Sequence, residues 1–284
     1  STHSGMVSTA VSSFLPHPPL TFLWTVQEEV GLHGARHVSV SALGKPKMAF
    51  NFDGGAAHAV TIGATSGYRM RVVVEGIASH AGVHPEQGVS AIAIASLAIA
   101  DLVDNGWHGL VEKQGRRGTS NVGVVQGGGA TNVVTDRVLL KAEARSHDAA
   151  FRKAIVREIE QAFRRAAKRV TNDKGQPGRV TIDGQVDYEA FLLKRTDPAV
   201  QFTTAAVEAE GLTADYRIAN GGLDANWLNA HGIPTVTLGC GQNNIHTADE
   251  WLDLQEFQRA CRIAQRLAVG PFGTNGSIQH TRKR

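Results

Sequence analysis

The chain has 284 residues, 42% hydrophobic and 19% charged, with 29 Lys and Arg against 26 Asp and Glu for a formal net charge of +3. That length suits one large domain or two modest ones, the composition excludes a core-poor disordered chain, and so dilute a charge gives no reason to expect a nucleic-acid partner. Cys240 and Cys261 form no CxxC pair and are too few for a disulfide scaffold, and residues 1–27 lack a basic n-region and are broken by Pro16, Pro18 and Pro19, so a cytoplasmic chain with no membrane span or signal peptide is expected.

In chain order, Thr21 to Val26 is a short apolar run entered from a proline-rich turn, the pattern of a strand buried in a parallel sheet, and it ends in Gln27-Glu28-Glu29. Lys47 to Phe52 repeats the pattern and ends in Asp53-Gly54-Gly55. Tyr68, Met70, Val72 and Val74 then alternate with Arg69, Arg71, Val73 and Glu75, the period of a strand with one solvated face. Val89 to Val103 reads as a helix without charge until Asp101, buried nearly all round or meeting another subunit. Val138, Leu140, Ala142 and Ala144 mark another alternating strand. Asp148 then caps a helix with Phe151, Ile155, Ile159, Phe163, Ala166 and Val170 on one stripe and a basic solvated face, and Val180 with Ile182 begins a further strand. Strand, helix, strand, strand, helix, strand is the split βαβ unit, here an α+β domain inserted into an α/β one. Pro198 to Glu210 and Leu254 to Leu267 read as helices flanking the apolar run Pro234 to Leu238, which is followed by the glycine-rich Gly239 to His246. The expected organisation is a catalytic α/β domain over 1–65 and 188–270, an inserted domain over 66–187, and a frayed tail over 271–284.

Three apolar strands that deliver polar groups past their C-terminal ends place function at that sheet edge. Glu28 and Glu29 read either as an exposed acidic turn or as a pair in which one carboxylate binds metal while its neighbour deprotonates water. Asp53 reads as an Asp-Gly turn or a further donor, and His246 as a loop histidine or a ligand. Together the three donors suit zinc, cobalt or manganese. His80, after an edge strand of the inserted domain, reads most simply as structural. Ser146-His147-Asp148 is too local for a hydrolase triad, and the glycine runs at 127–129 and 221–222 match no phosphate loop.

Thr25-Val-Gln-Glu-Glu-Val-Gly31, Phe52-Asp-Gly-Gly55, Ala78-Ser-His-Ala-Gly82, Gly128-Gly-Ala-Thr-Asn-Val-Val134, Gly221-Gly-Leu-Asp-Ala-Asn226 and Asn244-Ile-His-Thr247 stand in the order found in one family. From about residue 20 to residue 268 the chain resembles the di-zinc exopeptidases related to peptidase T, aminoacylase and glutamate carboxypeptidase, in the peptidase T-like branch. The resemblance implies a zinc-exopeptidase-like mixed sheet flanked by helices, with a ferredoxin-like α+β lid and dimerisation domain inserted. It implies a homodimer formed through that lid. It makes Glu28 the general base, Glu29 and His246 ligands of one zinc, and Asp53 a ligand of the other. His80 becomes the lid histidine that, in dimeric relatives, steadies the oxyanion in the partner's site. Asn132 and Arg145 become substrate binders, and Gly221, Gly222 and Asp224 a substrate-side loop. The implied reaction is attack of zinc-bound hydroxide on a peptide carbonyl, in a tripeptide aminopeptidase; an N-acyl amino acid amidohydrolase, a carboxypeptidase and a shortened non-catalytic relative are the alternatives.

One departure stands out. Relatives carry two more ligands upstream, a His-x-Asp histidine and a bridging aspartate, whereas none of the 12 histidines here lies in His-x-Asp and residues 1–27 hold no Asp or Glu. Glu29 with His246 on one metal and Asp53 on the other fall short of the three protein ligands usual for catalytic zinc. Either a piece of a longer peptidase or a shortened relative is expected, with Gly5 to Val11 resembling the helix that follows the bridging aspartate and His3 a weak substitute ligand.

Overall fold

A computed structural model describes residues 17–270. His3, the helix-like segment Gly5 to Val11 and the tail 271–284 lie outside the described residues. The chain divides into two compact units, the first over residues 1–64 and 191–284, the second over Thr65–Ala190.

The described part of the first unit has the short helix α1 (His33–Arg36) and strands β1 (Ala49–Phe52) and β2 (Ala59–Ala64). The inserted unit follows with β3 (Ser66–Glu75), α2 (Ala91–Asp104), β4 (Gly109–Lys113), β5 (Arg116–Gly127), β6 (Arg137–Ser146), α3 (Ala149–Arg169) and β7 (Arg179–Tyr188). The chain then returns through β8 (Phe191–Leu192), α4 (Pro198–Glu208), β9 (Asp215–Ala219), α5 (Asp224–Ala230), β10 (Thr235–Leu238), β11 (Gln242–Asn243), β12 (Trp251–Leu252) and α6 (Leu254–Val269). The result is the mixed α/β architecture expected, with helices flanking the sheets.

In the first unit, β10 runs parallel to β1 and antiparallel to β2, while β9 runs parallel to β2 and β8 antiparallel to it. All four residues of β10 are buried, as a continuous apolar run requires of a central strand. Val60, Ile62, Val236 and Leu238 of the sheet share a core with Val200 and Val207 of α4 and with Ile263 and Leu267 of α6. Each fully buried aliphatic side chain of this kind contributes about 1.5–3 kcal/mol. Because β1 and β10 are parallel and in register from Ala49 with Thr235 to Phe52 with Leu238, both deliver their next residues at the same sheet edge. Asp53 N donates to Leu238 O there at 2.8 Å.

Thr21 to Val26 departs from expectation. It joins no strand, and Phe22, Trp24 and Val26 are exposed. An apolar run becomes a sheet strand only where a neighbouring backbone supplies its ladder, and among the described residues this segment finds only scattered bonds, such as Gly34 N to Val26 O at 2.9 Å.

In the inserted unit the sheet order is β4-β5-β6-β3-β7, all antiparallel. One face carries Met70, Val72, Val74, Val138 and Leu140, which pack with Ile94, Ala98 and Leu102 of α2 and Phe151, Ile155, Ile159 and Phe163 of α3. Asp148 caps α3 as expected, accepting from Ala150 N and Phe151 N. Of the two alternatives expected for α2, burial nearly all round is not found, since Ile92 is 46% and Val103 54% exposed. Two details differ from the sequence reading. β3 lies between β6 and β7, so His80 follows an inner strand. On the basic face of α3, Arg152 is 1% exposed and pairs with Glu189 at 3.0 Å; the charge next to the apolar stripe is drawn inward by a carboxylate that sequence periodicity does not reveal.

Candidate active site

Glu28 and Glu29 lie in a turn, where Gly31 N and Leu32 N donate to Glu28 O at 3.2 and 2.9 Å. Glu28 is half-buried and Glu29 exposed. Burial of Glu28, reinforced by the charges of Asp53, Glu29 and Asp224, raises its carboxyl from 4.5 to about 7. A glutamic acid that titrates near neutrality is matched to taking up and releasing protons at working pH.

Asp53 sits just beyond β1, held by its backbone bond to Leu238 and followed by Gly54, whose φ of +92° falls in the region that favours glycine. Its charge acts on Glu28, Asp224 and the thiol of Cys240. Gly239, just past β10, is packed so tightly that a Cβ would lie 2.1 Å from Ala56 O and 2.4 Å from Gly55 O. The two strand ends are therefore locked side by side. From the β10 side, Gln242 Oε1 accepts from Gly54 N at 3.1 Å.

His246 has φ +66° and donates its backbone N–H to Glu250 Oε2 at 3.2 Å. Its Nε2 lies 3.5 Å from Glu29 Oε2, so two of the expected ligands meet. Asp224 opens α5 directly after Gly221, Gly222 and Leu223 and is 6% exposed. Its Oδ2 accepts from Thr25 Oγ1 at 2.5 Å, and its Oδ1 is buried with no hydrogen-bond partner. Burial raises the Asp224 carboxyl, the Thr25 bond opposes that rise, and Asp53 adds to it. Glu28, Asp53 and Asp224 thus lie within reach of one another's charges, and Glu29, which pairs with His246, is next to Glu28 in the chain.

Carboxylates and an imidazole are the right donor chemistry for a borderline dication. Their number is not sufficient. Among the described residues no group of three or more His, Cys, Asp or Glu side chains is arranged to hold a metal ion. The residues present do not by themselves fit a two-metal centre.

The expected residues of the inserted unit fall into two places. His80 is exposed, its Nδ1 accepts from Gly82 N and Val83 N at 3.1 Å, and Ala81 N donates to Asn132 O at 2.9 Å, so the His80 and Asn132 loops adjoin. Arg145, near the end of β6, is half-buried and forms two 3.0 Å bonds with Glu143. Burial alone would lower its pKa, but the Glu143 bonds more than compensate, so the guanidinium stays charged and already holds a carboxylate.

Two neighbours of the site escaped the sequence reading. Thr25 precedes Asp224 by 199 positions, and nothing local announces their bond. Cys240 is pushed up to about 12 by burial and by Asp53, with its thiol 3.6 Å from Gly54 O, so it is an inert packing group and no nucleophile.

Residues 62–171 match the peptidase dimerisation domain of the M20 family. A solved aminopeptidase PepT from Bacillus cereus ATCC 10987 is 32% identical, with a TM-score of 0.77 over 89% of this chain and 65% of that one. A tripeptidase from Staphylococcus aureus subsp. aureus Mu50 is 30% identical, with a TM-score of 0.80 over 89% of this chain and 64% of that one. A Bacillus subtilis protein described as a dinuclear metal-binding peptidase of the M20 family shares the fold at 18% identity and a TM-score of 0.60, over 87% of this chain and 63% of that one. The chain spans 64% of the length of one curated relative and 59% of another. Its inserted unit carries the dimerisation domain of the M20 peptidase family, and the relatives it matches include peptidase T and solved PepT-type peptidases.

Proposed function

We propose that this chain serves an exopeptidase that hydrolyses short peptides in the manner of peptidase T, in the cytoplasm, as a homodimer joined through the inserted unit. The observation that carries the reading is the mutual action of the Glu28, Asp53 and Asp224 charges, with Glu29, next to Glu28, 3.5 Å from His246. Glu28 is the general base. Partly desolvated and titrating at about 7, it accepts a proton from water and returns it to the leaving amine. Asp224, bonded to Thr25, steadies the segment three residues before Glu28. Glu29, Asp53 and His246 are the residues that would hold zinc, or cobalt or manganese, and the ion would supply Lewis acidity when bound. Because they assemble no three-donor group among the described residues, the steps assigned to this chain are those of its own side chains. His80 is assigned to the oxyanion in the partner's site, and Asn132, Arg145, Gly221 and Gly222 to substrate.

The same shortage of donors favours a second reading, a relative that keeps the crevice and the dimer surface without catalysis. The test is a panel of tripeptides with free and blocked amino ends, together with N-acyl amino acids, assayed on the full chain with added zinc or manganese and with chelator. The proposal expects chelator-sensitive release of amino-terminal residues, abolished by Glu28→Gln. Turnover of N-acyl amino acids alone would move the assignment to an amidohydrolase. No turnover, with less than one metal bound per chain, would support the non-catalytic reading.

A further inference from the structure

The inserted unit covers one face of its sheet with α2 and α3 and leaves the other bare. On the bare face lies a groove of about 500 Å³, a size suited to a small ligand. None of the residues assigned above to catalysis, metal or substrate lines it. Its middle is a row across three strands. Asp183 of β7 stands opposite Arg71 of β3, and Arg71 stands opposite Lys141 of β6. All three side chains are exposed, and among the described residues none is held in an ion pair.

The adjoining row differs. There Arg69 is held by Asp187 and Glu143 by Arg145, each at 3.0 Å, so its charges are spent within the domain. Two cations directly opposite one another on antiparallel strands, about 5 Å apart at Cβ, repel and cost stability unless an anion sits between them. Asn121 and Gln185 present side-chain amides along the same groove, and the β5 ladder shifts register between Val122 and Val124, as a bulge does.

We propose that this groove is a binding site for a short zwitterionic peptide, whose carboxylate is gripped by Arg71 and Lys141, whose ammonium faces Asp183, and whose amide groups meet Asn121 and Gln185. Guanidinium and ammonium pair a carboxylate by charge-assisted hydrogen bonds, while Asp183 discriminates against ligands that carry negative charge alone. The peptide class follows from the groove's own donors and acceptors, and the site stands whether or not the first unit is catalytic. Within the proposed function it would be a second place where substrate or product gathers.

The test is nuclear magnetic resonance of the full chain in the Glu28→Gln background, reading the side-chain amide signals of Asn121 and Gln185. That background prevents turnover if Glu28 is the base and leaves the groove unaltered if it is not. Titration with trialanine should shift both signals saturably, and affinity should fall at least tenfold in Arg71→Gln/Lys141→Gln, with a smaller loss in Lys141→Gln alone. The carboxyl-terminal amide of trialanine should bind at least tenfold more weakly than the free acid. Because the charged groups are exposed, raising salt from 20 to 200 mM should weaken binding several-fold, estimated on the order of 3-fold from screening. Absent shifts, equal affinity for acid and amide, or unchanged affinity in the double variant would overturn the proposal. Inorganic phosphate shifting the same signals as strongly as trialanine would also overturn it, leaving a general oxyanion site.

Discussion

Glu28 concentrates the chemistry of this chain at one carboxyl group. Its folded-state pKa of about 7 exceeds the ordinary 4.5 because half-burial and then Asp53, Glu29 and Asp224 disfavour its charge. The sign of the linkage follows. The folded protein keeps a proton that the unfolded chain releases above pH 4.5, so the stability tied to that proton is fully present below 4.5 and is lost as pH rises through 7. We predict that Glu28→Gln is as stable as wild type near pH 4 and more stable at pH 8, by about 1–2 kcal/mol once solvent screening of a half-exposed group is allowed for. Urea denaturation at the two pH values checks this; equal stability at pH 8 would show that the carboxylate carries no burial cost. Asp53 and His246 stood out in the sequence because each follows an apolar run that forms a strand, β1 and β10, whereas the run before Glu28 and Glu29 forms none. Thr25 and Cys240 did not stand out, since one acts through a partner 199 positions away and the other through packing.

At the scale of elements, alternation and helical stripes gave β3, β6, α2 and α3 their types, and the apolar runs gave β1 and β10, because in these cases burial of a face dictates the local period. The same rule misled at Thr21 to Val26, since apolar character selects a strand only where a ladder partner is available. Short elements such as α1, β8 and β11 leave no period to read. The junction of β1 and β10 depends on backbone proximity at Gly239, a feature a sequence shows only as a glycine. We predict that Gly239→Ala, whose Cβ would meet backbone oxygens at 2.1 and 2.4 Å, destabilises the fold by about 2–3 kcal/mol. Gly221→Ala, with nothing within 4 Å, should stay within about 0.5 kcal/mol of wild type. Thermal unfolding of both variants compares them, and similar midpoints would refute the packing argument.

For the whole molecule, the organisation is a first unit interrupted by an M20 dimerisation domain, and the split βαβ pattern was legible because its two helices and alternating strands are long. What the sequence left open was whether α2 is buried all round or faces a partner; Ile92 and Val103, eleven positions apart and so on one helical face, are exposed. We predict that Ile92→Asp/Val103→Asp shifts the chain from dimer to monomer in sedimentation velocity without unfolding it. A wild-type monomer, or an undisturbed dimer in the variant, would remove this face from the interface.

The account rests on partial burial of Glu28 beside the charges of Asp53, Glu29 and Asp224, and the pH titration of the Glu28 side-chain carboxyl, followed by carbon-13 resonance in selectively labelled protein, tests it most directly. The account predicts a midpoint of about 7, falling when Asp224 is changed to Asn. A midpoint at the ordinary 4.5 in the intact chain would contradict it.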